Sequence, residues 1–376
     1  MTDSLGDREG QVVPRTGVAA LLATAALLCV HGRRLAQNLA QAQWEDGLFF
    51  RYTRQHIHTL VDCFRRPGPY PGLYRPLTTN LFYLIGLRVF GEKLVGYHLI
   101  CILLVVLNAT LLYRIAFRLL HSRWALLAPI AFASRLANAE VVTHSCEFQT
   151  LFSVFWALAC LDWFMQRRFR RSVVALVLAL ASKETALVTP VILIAYGFLF
   201  DREPKDRRSV GHLAVAGLWV MTLLAFHDRA TGFRYDLSPS NVLGNLAAYL
   251  LAFFNPLVWP LDDWVMPPSV RTAASWPLMQ AAMAALMAIC LVSFPRLASR
   301  ARLVAFGFAW FVIATLPAAI FEGRLFMRYG YFGYAGLSIA AAAAGALVGE
   351  ATRDWRRRPG ARAAAEGQSS GAKLRG

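Results

Sequence analysis

The sequence predicts an all-α, polytopic membrane protein of about ten transmembrane helices, with two or three interfacial helices on its outer face. Three observations carry this. Hydrophobic residues make up 57% of the 376 and charged residues only 16%, outside the composition of a soluble domain. The apolar segments are long, and short Arg-rich loops separate them. The formal charge of +17 is spread over the ends of those segments rather than gathered in one basic domain. Cations so placed serve membrane orientation, which argues against a nucleic-acid partner and for membrane lipids.

Met1 to Arg15 is polar, and the first span, about Gly17 to His31, reads as an uncleaved signal anchor. Arg33 and Arg34 follow, and then Trp44-Glu45-Asp46-Gly47 sets two adjacent carboxylates where the chain leaves the lipid. From Leu48 to Phe64 the residues Leu48, Phe49, Tyr52, His56, Ile57, Leu60 and Phe64 recur at helical spacing, with Arg51, Arg54 and His58 off the stripe. Such a helix lies flat in the headgroup layer. Arg65 to Gly72 is a Pro- and Gly-rich break. Leu73 to Phe90, carrying Arg75 and Arg88, reads as a second interfacial or partly re-entrant helix. The next spans are Leu94 to Leu120, Trp124 to Leu136, Phe148 to Met165, Val173 to Ala181 and Ala186 to Phe200. His212 to Phe226, Pro277 to Phe294, Leu303 to Phe321 and Phe332 to Val348 complete the set.

Asn241 to Trp259 is apolar as well, and charge decides its placement. If it lies in the interface, the basic loops Arg114 to Arg123, Arg167 to Arg171, Arg202 to Arg208 and Arg296 to Arg302, with the tail from Arg353, all fall on one side. Both termini are then cytoplasmic. Residues 1–350 form one membrane domain with an outer loop at 32–93, and 351–376 reads as a disordered basic tail. Only four of the 39 basic residues are lysine, an Arg bias that suggests a GC-rich bacterial genome and hence a bacterial cytoplasmic membrane. The six cysteines show no CxxC and no spacing with His, so a zinc site is not expected. Cys63 and Cys146 share the outer side, where one bridge stays open.

This topology gathers four groups on the outer face: the Glu45-Asp46 loop, Arg135 to Glu147, the turn Ser182-Lys183-Glu184, and Glu322 to Tyr331. Transfer of a sugar to a hydroxyl needs a carboxylate to take the acceptor proton, and Glu45 and Asp46 could supply it. They could equally sit as partners of a helix dipole. Lys183 and Glu184 interrupt an apolar run, as a point charge for a phosphate leaving group or as a pair marking a turn. Glu140, His144 and Glu147 share a helical face at spacings of four and three, suited to a metal or a diphosphate, or simply a polar face. Arg328-Tyr329 and Arg75-Pro76 each read as interfacial anchors or as phosphate contacts.

The order of motifs adds to this. The acidic pair is followed by Tyr74-Arg75-Pro76-Leu77-Thr78-Thr79-Asn80, then Gly96-Tyr97-His98-Leu99-Ile100 and Leu107-Asn108-Ala109. Asn138-Ala139-Glu140-Val141-Val142, Ser182-Lys183-Glu184-Thr185-Ala186-Leu187, Leu316-Pro317 and Arg328-Tyr329 continue the series. The set, from roughly Trp44 to Ser338, resembles the GT-C superfamily of polytopic glycosyltransferases. It looks most like the branch holding the transmembrane and tetratricopeptide-repeat O-mannosyltransferases and their bacterial relatives. The resemblance implies an inverting transferase that moves a sugar from a polyprenyl-phosphate donor to a lipid, glycan or protein hydroxyl on the periplasmic side. It implies Asp46 as catalytic base, Glu45 assisting or coordinating a divalent cation, and Arg75, Lys183 and Arg328 on the donor phosphate. Glu140, His144, Glu147, Glu184 and Tyr329 would line the cavity.

Two departures stand out. Ser134-Arg135-Leu136-Ala137 replaces the His-Pro that relatives commonly carry, and Met327 stands where they often have an acid before Arg-Tyr. Two other readings remain. A lipid-linked glycan ligase or polymerase would depend on its outer Arg residues more than on Asp46. A transporter would place charges near the midplane and show repeated halves, and neither is visible in the sequence, while a non-catalytic membrane scaffold stays open.

Overall fold

The computed structural model describes residues 16–38, 44–70, 73–200, 208–226, 234–254, 277–293, 299–322 and 325–373. Fifteen α-helices occupy these residues, with short 3-10 and π-helical turns between them. They are α1 (Thr16–Asn38), α2 (Trp44–His56), α3 (Leu60–Arg65), α4 (Phe82–Val89), α5 (Leu94–Leu120), α6 (Leu127–Ala133), α7 (Leu136–Thr143) and α8 (Phe148–Met165). Then come α9 (Phe169–Leu180), α10 (Thr189–Phe200), α11 (Arg208–Ala225), α12 (Pro239–Phe254), α13 (Pro277–Ser293), α14 (Ser299–Ala319) and α15 (Tyr331–Lys373). The described residues hold no strand, only an isolated bridge between Tyr235 and Phe321.

The protein is an all-α, polytopic membrane protein. Among the described residues, five segments are long and apolar enough to cross a bilayer: Thr16–Arg33, Leu94–Leu120, Ser145–Met165, Arg300–Ala319 and Met327–Thr352. A sixth is the pair Arg123–Ala133 and Ala137–Thr143 taken as one span broken by a 56° bend. Glu184–Phe200, Ser209–Ala225, Pro239–Phe254 and Pro277–Met287 are apolar but shorter, so among the described residues length alone marks fewer spans than the ten expected. α5 shows how a span sorts its residues. Val95, Leu99, Leu103 and Leu107 form an exposed stripe, one helical turn apart, while Tyr97, Cys101, Leu104, Val105, Asn108 and Leu112 face the protein. An apolar exposed stripe on a span faces lipid.

α5 packs against α1, α6 and α8, and α8 packs against α9. α14 and α15 form the most extensive helix pair. Small residues permit this: a Cβ on Gly307 would strike the backbone of Gly336 and Ala340, and one on Gly336 would strike the Gly307 carbonyl and Trp310. Close backbone approach at glycine is the common device for packing helices within a bilayer.

The structure departs from the sequence expectations at its breaks. The single surface helix expected from Leu48 to Phe64 is two helices. Thr59 caps α3 with its hydroxyl accepting from the Asp62 amide, and the Asp62 carboxylate accepts from the Thr59 amide in return. The buried face of α2 is Asp46, Phe49, Phe50 and Thr53, while Leu60 and Phe64, placed on the stripe by periodicity, are exposed. The span expected to run from Trp124 to Leu136 stops at Ala133, where the Asn138 side-chain amide donates to the Phe132 carbonyl at 2.6 Å and the Arg135 carbonyl at 3.2 Å. Those bonds satisfy carbonyls that a helix end leaves free. α15 continues to Lys373, through the stretch that composition marks for disorder. Its Ala, Arg and Glu content favours helix. Cys63 and Cys146 carry free thiols, so no bridge joins them.

Candidate active site

The site assembles where α2, α4, α7 and α8 meet three short turns. Glu45 and Asp46 occupy the first turn of α2, where unpaired backbone amides favour negative charge. The α2 register turns Asp46 inward with Phe49 and Phe50, and Asp46 is fully buried while Glu45 is partly exposed.

The 3-10 turn Ser145–Glu147 joins the acid pair to Lys183 and Arg328. Its three residues are buried, and each holds a different charged group. Ser145 Oγ donates to Asp46 Oδ1 at 2.5 Å, and lies 3.0 Å from the Tyr83 hydroxyl. Cys146 Sγ donates to Glu45 Oε2 at 2.8 Å, and the Tyr70 hydroxyl donates to Glu45 Oε1 at 3.3 Å. Burial, and then the Glu45 charge, push the Tyr70 phenol above its usual range. Glu147 stands between two cations, with Oε2 3.6 Å from Lys183 Nζ and Oε1 3.1 Å from Arg328 Nε. Thr150, one helical turn on, donates to Glu147 and accepts from Lys183 Nζ at 2.6 Å.

The remaining groups complete the cluster. Glu140 accepts from the Arg328 backbone amide at 2.8 Å and from its guanidinium at 3.3 Å. Arg75 donates through Nε to Glu184 Oε2 at 2.7 Å and through a second guanidinium nitrogen to Oε1 of the same carboxylate. Its third contact, with Gln149 Oε1, is 2.6 Å. Burial opposes the Arg75 charge and the Glu184 carboxylate more than offsets it, so its pKa lies above the usual value. For Lys183, burial wins over the Glu147 charge and holds the ammonium below the ordinary lysine range. The Tyr329 ring lies against both cations, its centroid 5.8 Å from Lys183 Nζ and 5.9 Å from the Arg328 guanidinium carbon.

The structure therefore brings Glu45, Asp46, Arg75, Glu140, Glu147, Lys183, Glu184, Arg328 and Tyr329 into one network. His144 stands at its edge, with Nδ1 3.1 Å from the Glu140 carbonyl. The expectation that Glu140, His144 and Glu147 share one helical face is overturned. α7 ends at Thr143, and His144 is extended at φ −121 and ψ 115. Among the described residues no three His, Cys, Asp or Glu side chains form a group that could hold a metal ion. The three cations each pair with an internal carboxylate instead of standing bare. Ser145, Cys146, Tyr70, Tyr83, Gln149 and Thr150 were not legible as site residues. Ser145, Cys146, Gln149 and Thr150 carry one signal, the polar residues gathered with Glu147 at the head of an apolar span, and the two tyrosines carry none.

Residues 74–226 match the family described as dolichyl-phosphate-mannose-protein mannosyltransferase. The match supports a GT-C superfamily membrane glycosyltransferase. The matched segment holds Arg75, Tyr83, Glu140, the Ser145–Glu147 turn, Lys183 and Glu184, while Glu45, Asp46 and Arg328 lie outside it on either side. No curated protein and no solved structure matches the chain.

Proposed function

We propose that this protein is an inverting glycosyltransferase that works on the periplasmic face of a bacterial cytoplasmic membrane. The family match implies a polyprenyl-phosphate-sugar donor and a mannosyltransferase-like activity. The observation that carries the finer reading is the Ser145–Glu147 turn, which ties the acid pair to Lys183 and Arg328.

Asp46 is the base. It takes the proton of the acceptor hydroxyl as the acceptor oxygen bonds to the anomeric carbon from the face opposite the phosphate. The bond from that carbon to the phosphate oxygen breaks, and its electron pair leaves on the polyprenyl phosphate. Arg75, Lys183 and Arg328 are ordered before the donor arrives, because Glu184, Glu147 and Glu140 hold them. Charges fixed in advance stabilise a leaving group without reorganising during the reaction. Glu45 is the partly exposed member of the pair, so an acceptor meets the pair there first.

The test uses the full chain in nanodiscs with synthetic, radiolabelled polyprenyl-phosphate mannose and native membrane extract as acceptor source. Asp46→Asn is expected to cut transfer by about 100-fold or more, the usual scale for a lost general base. Glu45→Gln is expected to cost less. Undiminished product from a folded Asp46→Asn protein overturns the assignment.

A further inference from the structure

We propose that Ser145 and Tyr83 are positioning residues, a two-step hydrogen-bond relay that fixes the Asp46 carboxylate for proton abstraction. This rests on the reading of Asp46 as the base.

A buried carboxylate needs donors in any protein. Here the donors are arranged with a definite direction. The Ser145 hydroxyl has one proton and directs it at Asp46 Oδ1, 2.5 Å away. Its oxygen can then only accept from Tyr83, so the 3.0 Å contact is a bond donated by the phenol. Burial pushes the Tyr83 phenol well above its ordinary range, which keeps that proton in place. The order from phenol to serine to carboxylate is thereby fixed, and a chain of hydrogen bonds strengthens each member.

Both members are held by their surroundings. The Tyr83 ring stacks on Phe49 at 4.8 Å and meets Phe50 edge-on at 5.7 Å, and these two aromatics stand on the same α2 face as Asp46. The relay and the residue it serves are thus locked by one aromatic group. Ser145 sits two residues before Glu147, the carboxylate shared by Lys183 and Arg328. The turn that sets the cations sets the acid as well.

Two measurements test the relay. The first needs no substrate: the Asp46 carboxylate stretch is isolated as the infrared difference between wild-type and Asp46→Asn protein in nanodiscs. Ser145→Ala should shift that band, and Tyr83→Phe should shift it in the same direction by less. An Asp46 band that is identical in Ser145→Ala and wild-type protein overturns the relay. The second measurement uses the radiolabelled donor. Ser145→Ala should lower kcat by about 10- to 100-fold, the cost of one hydrogen bond to a charged group, with donor KM changed less than about two-fold. A rise in KM with kcat held overturns the positioning role. If Asp46→Asn transfers sugar at the full rate, the base assignment falls, while the infrared shift still decides whether the relay exists.

Discussion

Glu147 is the residue with the most depending on it. Its side chain is 4% exposed and lies within 4 Å of both Lys183 and Arg328. Removing one member of a buried ion pair leaves an uncompensated charge, which costs about 3–5 kcal/mol. Glu147→Gln should therefore lower the thermal stability of the nanodisc-embedded protein as well as its transfer rate. Arg75→Ala should be milder in stability, because Glu184 is 30% exposed and regains water. Lys183 gives a dependence on pH. Its folded pKa lies below that of a free lysine because burial opposes the charge. The cation is present below that lowered value and lost as pH rises through it, so donor KM should climb on the alkaline side before an ordinary lysine would titrate. Lys183→Arg should move that limb to higher pH, because a guanidinium stays charged. A limb that stays where it was would assign the titration to another group.

At the scale of elements, caps and glycines decide what periodicity leaves open. Apolar residues continue at helical spacing through Thr59, so α2 and α3 read as one helix in sequence. The reciprocal Thr59–Asp62 bonds begin a second helix and turn Leu60 and Phe64 outward. Thr59→Ala should speed amide hydrogen exchange across residues 60–65 by about five-fold, the usual effect of losing a cap. The Thr59 hydroxyl and the amides of His58 and Thr59 hold the Asp62 carboxyl below its usual range. Its contribution to α3 is therefore present above the ordinary aspartate pKa and lost as pH falls through the lowered one. At the α14–α15 crossing, Gly307→Val places a branched side chain against the Gly336 backbone. Overpacking of that kind costs about 1–3 kcal/mol, to be read as a lower unfolding temperature in detergent.

For the whole molecule, legibility followed physical range. α5 and α8 begin and end where hydropathy put them, because the length of an apolar run is set by the bilayer it crosses. The break after Ala133 was hidden, since it is made by the Asn138 side chain folding back on the carbonyls of Phe132 and Arg135. The same divide runs through the site. Asp46, Lys183, Glu184 and Arg328 could be singled out because ionisable groups are costly beside apolar runs. Their pairings could not, because Asp46 and Ser145 lie 99 positions apart and Arg328 and Glu140 lie 188 apart. Tyr83 gave no signal at all: an aromatic in an apolar helix reads as core, and its role comes only from what its hydroxyl meets.

The turn from Ser145 to Glu147 has a thermodynamic corollary. Its three side chains reach both the acids and the cations, so the two halves of the site are coupled through about two peptide units of backbone. Energies of substitution in such a unit do not add. The double variant Asp46→Asn with Lys183→Met should lose less stability than the two single losses combined, by about 0.5–3 kcal/mol. Strict additivity would mean two independent sites that happen to share a wall.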